Sequence, residues 1–374
     1  MVAQNRLTPF LVTGGPVPPE DVVDREAYLE STVARLRDGH SIYISGPRRT
    51  GKSSVAGAVL DTLRRSGFYT CQLDLFAVAN EADFAQRLAE AVLANRRGNW
   101  RPGRRPVSIE PSLTAKGFPP EIKVALGFKV GSPDPEPVAM LDRALELPEH
   151  VATQDRRGMV VAFDEFQEVE KLGGVDLLKR MRAHFQHQRS VVYIFLGSQG
   201  VKLREMFGAA AEPFFRFAEP SRLPDVPRRS WSEYLEARFA DRGLTIPIAV
   251  LDDLLDATGG HPADTMLVAS HVYYAARDSR STEVTSALLQ AGYAQALDDL
   301  SQYFDVIWAG LGRPARLAAQ ELVATGQPYS GGQTSPSGIA RAMRSLEDLG
   351  LARRDGPRRW AVAEPMFADW LRRA

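Results

Sequence analysis

The sequence predicts an α/β chain: a parallel-sheet core with a β-hairpin insertion, then an all-helical segment, then a C-terminal winged helix-turn-helix. Three observations lead there. Four short apolar runs, at 41–45, 69–75, 159–163 and 191–196, alternate with stretches of helical spacing, the pattern of parallel strands buried on both faces. From Ser230 to about Ala309 the spacing is helical throughout. The last sixty residues then switch to two amphipathic helices and a pair of short strands.

The elements follow in chain order. Residues 1–20 hold Pro9, Pro16, Pro18 and Pro19 beside Gly14 and Gly15 and are expected as an extended arm. Leu29, Val33 and Leu36 share one face of a helix over 25–37. The strand at 41–45 leads to a helix over 52–65 that ends near Gly67; the strand at 69–75 leads to a helix over 81–95. Residues 97–135 break this rhythm. After a basic, loop-like start, Ile122, Val124, Leu126, Phe128 and Val130 alternate with Lys, Ala, Gly and Lys. Val107 and Ile109 can pair with them across a turn at Gly117 and Pro119, giving a hairpin inserted into the core. Helical spacing resumes at 136–148, a basic helix follows the third strand as far as Gln188, and the fourth strand follows it. These patterns divide the chain into a core at 1–228, a helical lid at 229–309 and a winged helix at 310–374.

Composition narrows the function. The 374 residues carry 46 Lys plus Arg against 46 Asp plus Glu, a formal net charge of zero, which excludes a protein that coats polyanions with its whole surface. The 44% hydrophobic content is enough for a core. Cys71 is the only cysteine, so neither an intrachain disulfide nor a multi-cysteine zinc site can form. With no basic-then-apolar leader and no apolar run of membrane length, a cytoplasmic protein with no membrane partner is expected. Arginine outnumbers lysine 39 to 7, and Lys52 is the only lysine before Lys116.

Lys52 lies in Gly46-Pro-Arg-Arg-Thr-Gly51-Lys52-Ser53, which matches GxxxxGK[ST]. The glycines let several N–H groups converge on phosphate oxygens, and the following helix adds its positive N-terminal end. A compact ammonium suits the outer phosphates and a hydroxyl suits Mg²⁺, so Lys52 and Ser53 take those roles. An apolar strand before the motif and an amphipathic helix after it supply the context that a chance match lacks. Met159-Val-Val-Ala-Phe163 then runs into Asp164 and Glu165. Asp164, at the strand's end, is the expected Mg²⁺ ligand together with Ser53; Glu165 is expected to polarise an attacking water. Taken alone, the two carboxylates also fit an acidic cap on a buried strand.

On these residues the chain resembles the archaeal AAA+-related ATPases close to the STAND signalling ATPases. The family's opening motif is matched by Asp24-Arg25-Glu26 with Leu29, its P-loop by Gly46 to Ser53, and its DEFQ motif by Asp164-Glu165-Phe166-Gln167. Its lid motif is matched by Gly259-Gly260-His261-Pro262. The C-terminal DPLFxxWL is matched by Glu364-Pro365-Met366-Phe367-Ala368-Asp369-Trp370-Leu371, with Glu in place of the first Asp. The resemblance implies ATP and Mg²⁺ as cofactors. It implies nucleotide contacts from Arg25, from Gly46, Pro47, Arg48, Arg49, Thr50, Gly51, Lys52, Ser53 and Ser54, and from His261 and Pro262 near the adenine. It makes Ser198, at the end of the fourth strand, a polar sensor of the γ-phosphate; a helix N-cap is the equal alternative, and Gln199 can serve instead. Arg216, in Glu212-Pro-Phe-Phe-Arg216, becomes the candidate arginine finger of a homo-oligomer. His184 and His187 lack further ligands for a metal and read as a solvated face.

The winged unit carries ten arginines against six carboxylates from residue 313 onward, a net +4. On its second helix Ile339, Met343 and Leu346 turn inward and Arg341 and Arg344 outward, and Gly350 ends the helix. Arg353, Arg354, Arg358 and Arg359 lie on the hairpin and, with Arg341 and Arg344, are the candidate phosphate contacts to duplex DNA; a protein partner is the alternative. The expected function is Mg²⁺-dependent ATP binding and hydrolysis driving a conformational switch. The alternative is a slow-turnover, nucleotide-gated DNA binder or signalling and defence regulator. A P-loop small-molecule kinase fits Glu165 and the winged helix less well.

Overall fold

In a computed structural model, which describes residues 9–95, 136–328, 335–356 and 359–373, each of the four apolar runs forms a strand. These are β1 (Ile42–Ser45), β2 (Tyr69–Asp74), β3 (Met159–Asp164) and β4 (Val191–Gly197); a two-residue strand, β5 (Glu219–Pro220), joins them. All neighbours pair in parallel in the order β2-β3-β4-β1-β5. Every residue of β4, and every residue of β3 before Asp164, is buried, which is why these runs are almost continuously apolar. The register sets Asp74 beside Asp164 and Ser45 beside Gly197, so the carboxyl ends of four strands share one edge. The expected insertion at 97–135 lies outside the described residues.

The chain divides into two compact units. The sheet unit comprises Glu26–Gly46 and Lys52–Leu223; the helical unit comprises Met1–Arg25, Pro47–Gly51 and Pro224–Ala374.

In the sheet unit, α1 (Glu26–Arg37), α2 (Lys52–Arg65), α3 (Glu81–Ala94), α4 (Pro137–Asp155), α5 (Val169–Leu172), α6 (Gly174–Phe185) and α7 (Gly200–Gly208) surround the strands in sequence. Helix α4 runs past the expected end at 148: it tolerates Pro148 because Leu147, Val151 and Ala152 remain buried, and it stops at Arg156 in a left-handed conformation. Phe163 sits at the centre of an aromatic core, its ring about 6 Å from those of Phe84, Phe166, Phe185, Tyr193 and Phe195. Cys71 on β2 is buried in the same core, and burial pushes its thiol up to about 12. The solvated face expected for His184 is corrected here. Helix α6 packs on α4, so the His184 ring is mostly covered, with Nε2 3.1 Å from Asp142; His187 stays exposed.

The helical unit holds α8 (Arg228–Ala240), α9 (Ile248–Thr258), α10 (Pro262–Asp278) and α11 (Ser286–Gly310). A Cβ on Gly292 would meet the backbone nitrogen of Val272 at 2.7 Å, so a glycine is what lets α11 approach α10. Then come α12 (Arg313–Thr325), α13 (Pro336–Asp348), an antiparallel pair β6 (Ala352–Arg354) and β7 (Trp360–Val362), and α14 (Pro365–Arg373). Helix, helix and hairpin have the winged-helix order. Met343 and Leu346 are buried while Arg341 and Arg344 are exposed, as the spacing required. Phe304 contacts Phe367 and Trp370, tying α14 to α11. Among the described residues of the N-terminal arm, 9–18 form no helix or strand before the turn at Pro19–Asp21, yet Phe10 and Leu11 are buried in this unit, with Phe10 stacked on Tyr273.

Phe163→Ala removes the ring that the other aromatics surround. It should destabilise the sheet unit by about 3–5 kcal/mol, read as a lowered midpoint in urea denaturation.

Candidate active site

The sheet unit gathers seven of the expected residues, Gly46, Lys52, Ser53, Ser54, Asp164, Glu165 and Ser198, at the carboxyl edge of its strands. Lys52 opens α2 and is 6% exposed; its Nζ donates to the Gly46 carbonyl at 2.8 Å. Ser53 Oγ donates to Asp164 Oδ2 at 2.6 Å, which joins the start of α2 to the end of β3. Asp164 Oδ1 accepts from the Glu165 N–H, so both of its oxygens are engaged. Burial raises the Asp164 carboxyl above the ordinary range; Ser53 opposes this, and the carboxylates of Glu165 and Asp74 add to it.

Glu165 stands differently. Its backbone is left-handed, with φ 50°, which turns the chain sharply off the end of β3. Its Oε2 accepts from Gln167 Nε2 and from the N–H and Oγ of Ser198, at 2.5, 3.1 and 2.7 Å. Burial raises this carboxyl too, but those donors and the Lys52 charge outweigh it and hold the carboxyl below its usual value. Ser198 is 1% exposed, and its hydroxyl goes to Glu165; the N-cap position of α7 falls to Gln199.

The tip of the loop, Pro47–Gly51, belongs to the helical unit, where residues from four further elements close on it. Thr50 Oγ1 donates to the Pro47 carbonyl, and Gly51 takes φ 90°, a conformation that only glycine adopts freely. The Arg49 guanidinium stacks 4.2 Å over the Tyr303 ring. Gly350, in the left-handed turn after α13, approaches so near that a Cβ there would meet Pro47 Cβ at 2.9 Å. His261, the N-cap residue of α10, hydrogen-bonds the Arg48 backbone, and its Nδ1 lies 3.3 Å from Asp264 Oδ2. Burial disfavours the charged ring, but Asp264, Glu364 and the Arg48 contact outweigh it and raise the His261 pKa. Glu364, 6% exposed ahead of α14, is pushed up to about 7 by burial and by Asp264, with His261 and Arg49 pulling the other way.

Of the remaining expected residues, Arg25 is buried at the end of the N-terminal segment of the helical unit, and Pro262 opens α10. Arg216 is exposed in a left-handed turn of the sheet unit, its guanidinium over the Phe215 ring. Arg341, Arg344, Arg353, Arg354 and Arg359 are all exposed; Arg354 also lies over the Trp360 ring, and Arg358 falls outside the described residues. Sequence reasoning assigned no role to Gln167, Asp264, Tyr303 or Glu364. The available signs were the quoted DEFQ and EPMF motifs and the three-residue spacing of His261 and Asp264.

One hydroxyl and one carboxylate suit Mg²⁺, which keeps most of its octahedral positions for water and phosphate oxygens. Among the described residues no group of three or more His, Cys, Asp or Glu side chains is arranged to hold a metal, and no helix is long and apolar enough to cross a membrane.

No family model matches this sequence, and no curated protein matches it. Solved structures match in shape. The Walker-type ATPase of Pyrococcus abyssi superposes with a TM-score of 0.70 at 15% identity, over 97% of this chain and 99% of that one. The ORC2 protein of Aeropyrum pernix, solved as ADPNP and ADP complexes, gives 0.58 at 13% identity over 96% of each chain. The fold is that of the archaeal AAA+ P-loop ATPases. The Aeropyrum pernix ORC1 protein, solved in complex with DNA, shares this AAA+ fold at a TM-score of 0.52 and 15% identity, over 94% of this chain and 93% of that one.

The buried acids of the helical unit carry a pH prediction. Between about pH 4.5 and 7 the folded chain keeps a proton on Glu364 that the unfolded chain has released, so stability falls as pH rises through that window. What His261 contributes is also full at low pH and lost on raising it. Glu364→Gln should therefore gain up to about 3 kcal/mol on wild type at pH 8 relative to its difference at pH 5, measured by chemical denaturation at the two pH values.

Proposed function

We propose that the chain is a Mg²⁺-dependent ATPase acting as a nucleotide-controlled switch, with a winged helix that contacts duplex DNA. The observation that carries the ATPase reading is the Ser53–Asp164 hydrogen bond beside Lys52, with Glu165 one residue further on. A hydroxyl and a carboxylate held together at the start of a helix form a ready ligand pair for Mg²⁺. When bound, Mg²⁺ supplies charge neutralisation at the outer phosphates. The protein's own residues do the rest. Gly51 and the N-terminal N–H groups of α2 receive phosphate oxygens, Lys52 brings its charge to them, and Glu165 orients and polarises the attacking water. Its sub-normal pKa keeps it ionised for that work at neutral pH. Ser198 senses the γ-phosphate from the end of β4, and the exposed Arg216 is the residue we assign to a neighbouring copy's site.

The DNA reading rests on five exposed arginines on α13 and the hairpin, and the DNA-bound Aeropyrum pernix protein lends it support. An arginine pair three apart on one helix face suits adjacent phosphates.

Lys52→Ala should weaken binding of a fluorescent ATP analogue at least tenfold. Glu165→Gln should bind it normally yet lower turnover by about 10²–10⁴-fold, measured as phosphate release. Wild-type turnover by Glu165→Gln would remove Glu165 from the mechanism. Arg341→Ala combined with Arg344→Ala should weaken duplex binding and reduce its salt slope by about two. Unchanged binding would favour a protein partner.

A further inference from the structure

Gln167 is 1% exposed and follows Glu165 by two residues on the turn that leaves β3. Its Nε2 donates to Glu165 Oε2, the same oxygen that accepts from Ser198 twice. Three donors on one oxygen saturate it. Glu165 Oε1 accepts no hydrogen bond among the described residues. The other end of the Gln167 amide is spent badly: Oε1 is buried without a hydrogen-bond partner among the described residues. An unsatisfied buried acceptor costs about 1–3 kcal/mol, a cost that a leucine or methionine of similar size would avoid. Space for the amide is nevertheless provided. A Cβ on Gly197, the last residue of β4, would sit 2.5 Å from Gln167 Oε1.

We infer that Gln167 is a positioning residue: with Ser198 it ties down one oxygen of Glu165 and fixes the rotamer in which the other faces the attacking water. The inference rests on the ATPase reading above. The clamp needs its three parts together: an amide donor, a glycine that makes room for it, and a left-handed Glu165 that turns the carboxylate back toward β4. Fixing a base in one geometry lowers the cost of reaching the transition state without adding a contact to the nucleotide.

The test is Gln167→Met, which keeps length and volume and removes the donor. It should lower kcat for ATP hydrolysis by about 10–100-fold, the usual effect of losing a partner that orients a functional side chain. KM and the Kd of a fluorescent non-hydrolysable ATP analogue should stay within about twofold, as expected when no nucleotide contact is lost. In a Glu165→Gln background the same change should leave the residual rate unaltered, since no carboxylate remains to be positioned. Without nucleotide, the Gln167 side-chain amide should give a slowly exchanging NMR signal in wild type that is lost in Glu165→Ala. Gly197→Ala, which pushes the amide from its seat, should lower kcat in the same sense and serves if Gln167→Met fails to fold. Wild-type kcat in a folded Gln167→Met overturns the inference, and so does a further loss on top of Glu165→Gln. If Glu165→Gln itself turns over normally, the ATPase assignment of Glu165 has failed instead.

Discussion

A parallel sheet brings the carboxyl end of every strand to the same edge, and the chemistry proposed for this chain depends on that one geometric fact. The ends of β1, β3 and β4 carry, respectively, the loop to Lys52, the Asp164–Glu165 pair and Ser198. These segments are 111 and 33 residues apart in sequence, yet Ser53 reaches Asp164 and Ser198 reaches Glu165 by direct hydrogen bonds. The buried aromatic packing about Phe163 fixes the strands side by side, so the edge inherits the rigidity of the core beneath it.

Two adjacent carboxylates are driven in opposite directions at that edge. Asp164 shares its oxygens with one hydroxyl and one backbone N–H and has other acids for neighbours, so burial dominates. Glu165, turned aside by its left-handed backbone, meets three donors and a lysine charge, and these overcome burial. One carboxyl is disfavoured as an anion by its surroundings; the other is stabilised as one. The helical unit repeats the theme with different residues. His261, Asp264 and Glu364 are held together in a largely buried cluster beside the loop tip, with Arg49 partly opposing the upward shift of Glu364.

Much of this was legible in the sequence, and for physical reasons. Strands buried on both faces must be apolar throughout, so β3 and β4 announced themselves, and the phosphate-binding loop had to lie between a strand and a helix. Amphipathic spacing placed Met343 and Leu346 inside and Arg341 and Arg344 outside before any coordinates were needed. Other features are non-local and left no trace. The two-residue β5 has no pattern of its own and exists because Ser41 and Tyr43 offer a free edge. Phe10 and Leu11 stand among prolines and glycines that read as an arm; both are buried in the helical unit's core, Phe10 against the distant ring of Tyr273. Gln167 was visible within a motif, but its partner oxygen was not, since the left-handed backbone of Glu165, with φ 50°, decides where the carboxylate goes. The cluster around Glu364 joins residues that lie about 100 apart in the chain, a meeting that no local spacing encodes.

Cys71 has a practical consequence. It is the only thiol in the chain, it is enclosed by the sheet core, and it stays protonated far above neutral pH. A maleimide reacts with thiolate, so this sulfur is silent toward such reagents while the protein is folded. A cysteine introduced at any exposed position, such as Arg216 or Arg344, would be the sole reactive handle without first engineering the native one away. Dyes or spin labels can therefore report on each unit in an otherwise unaltered protein.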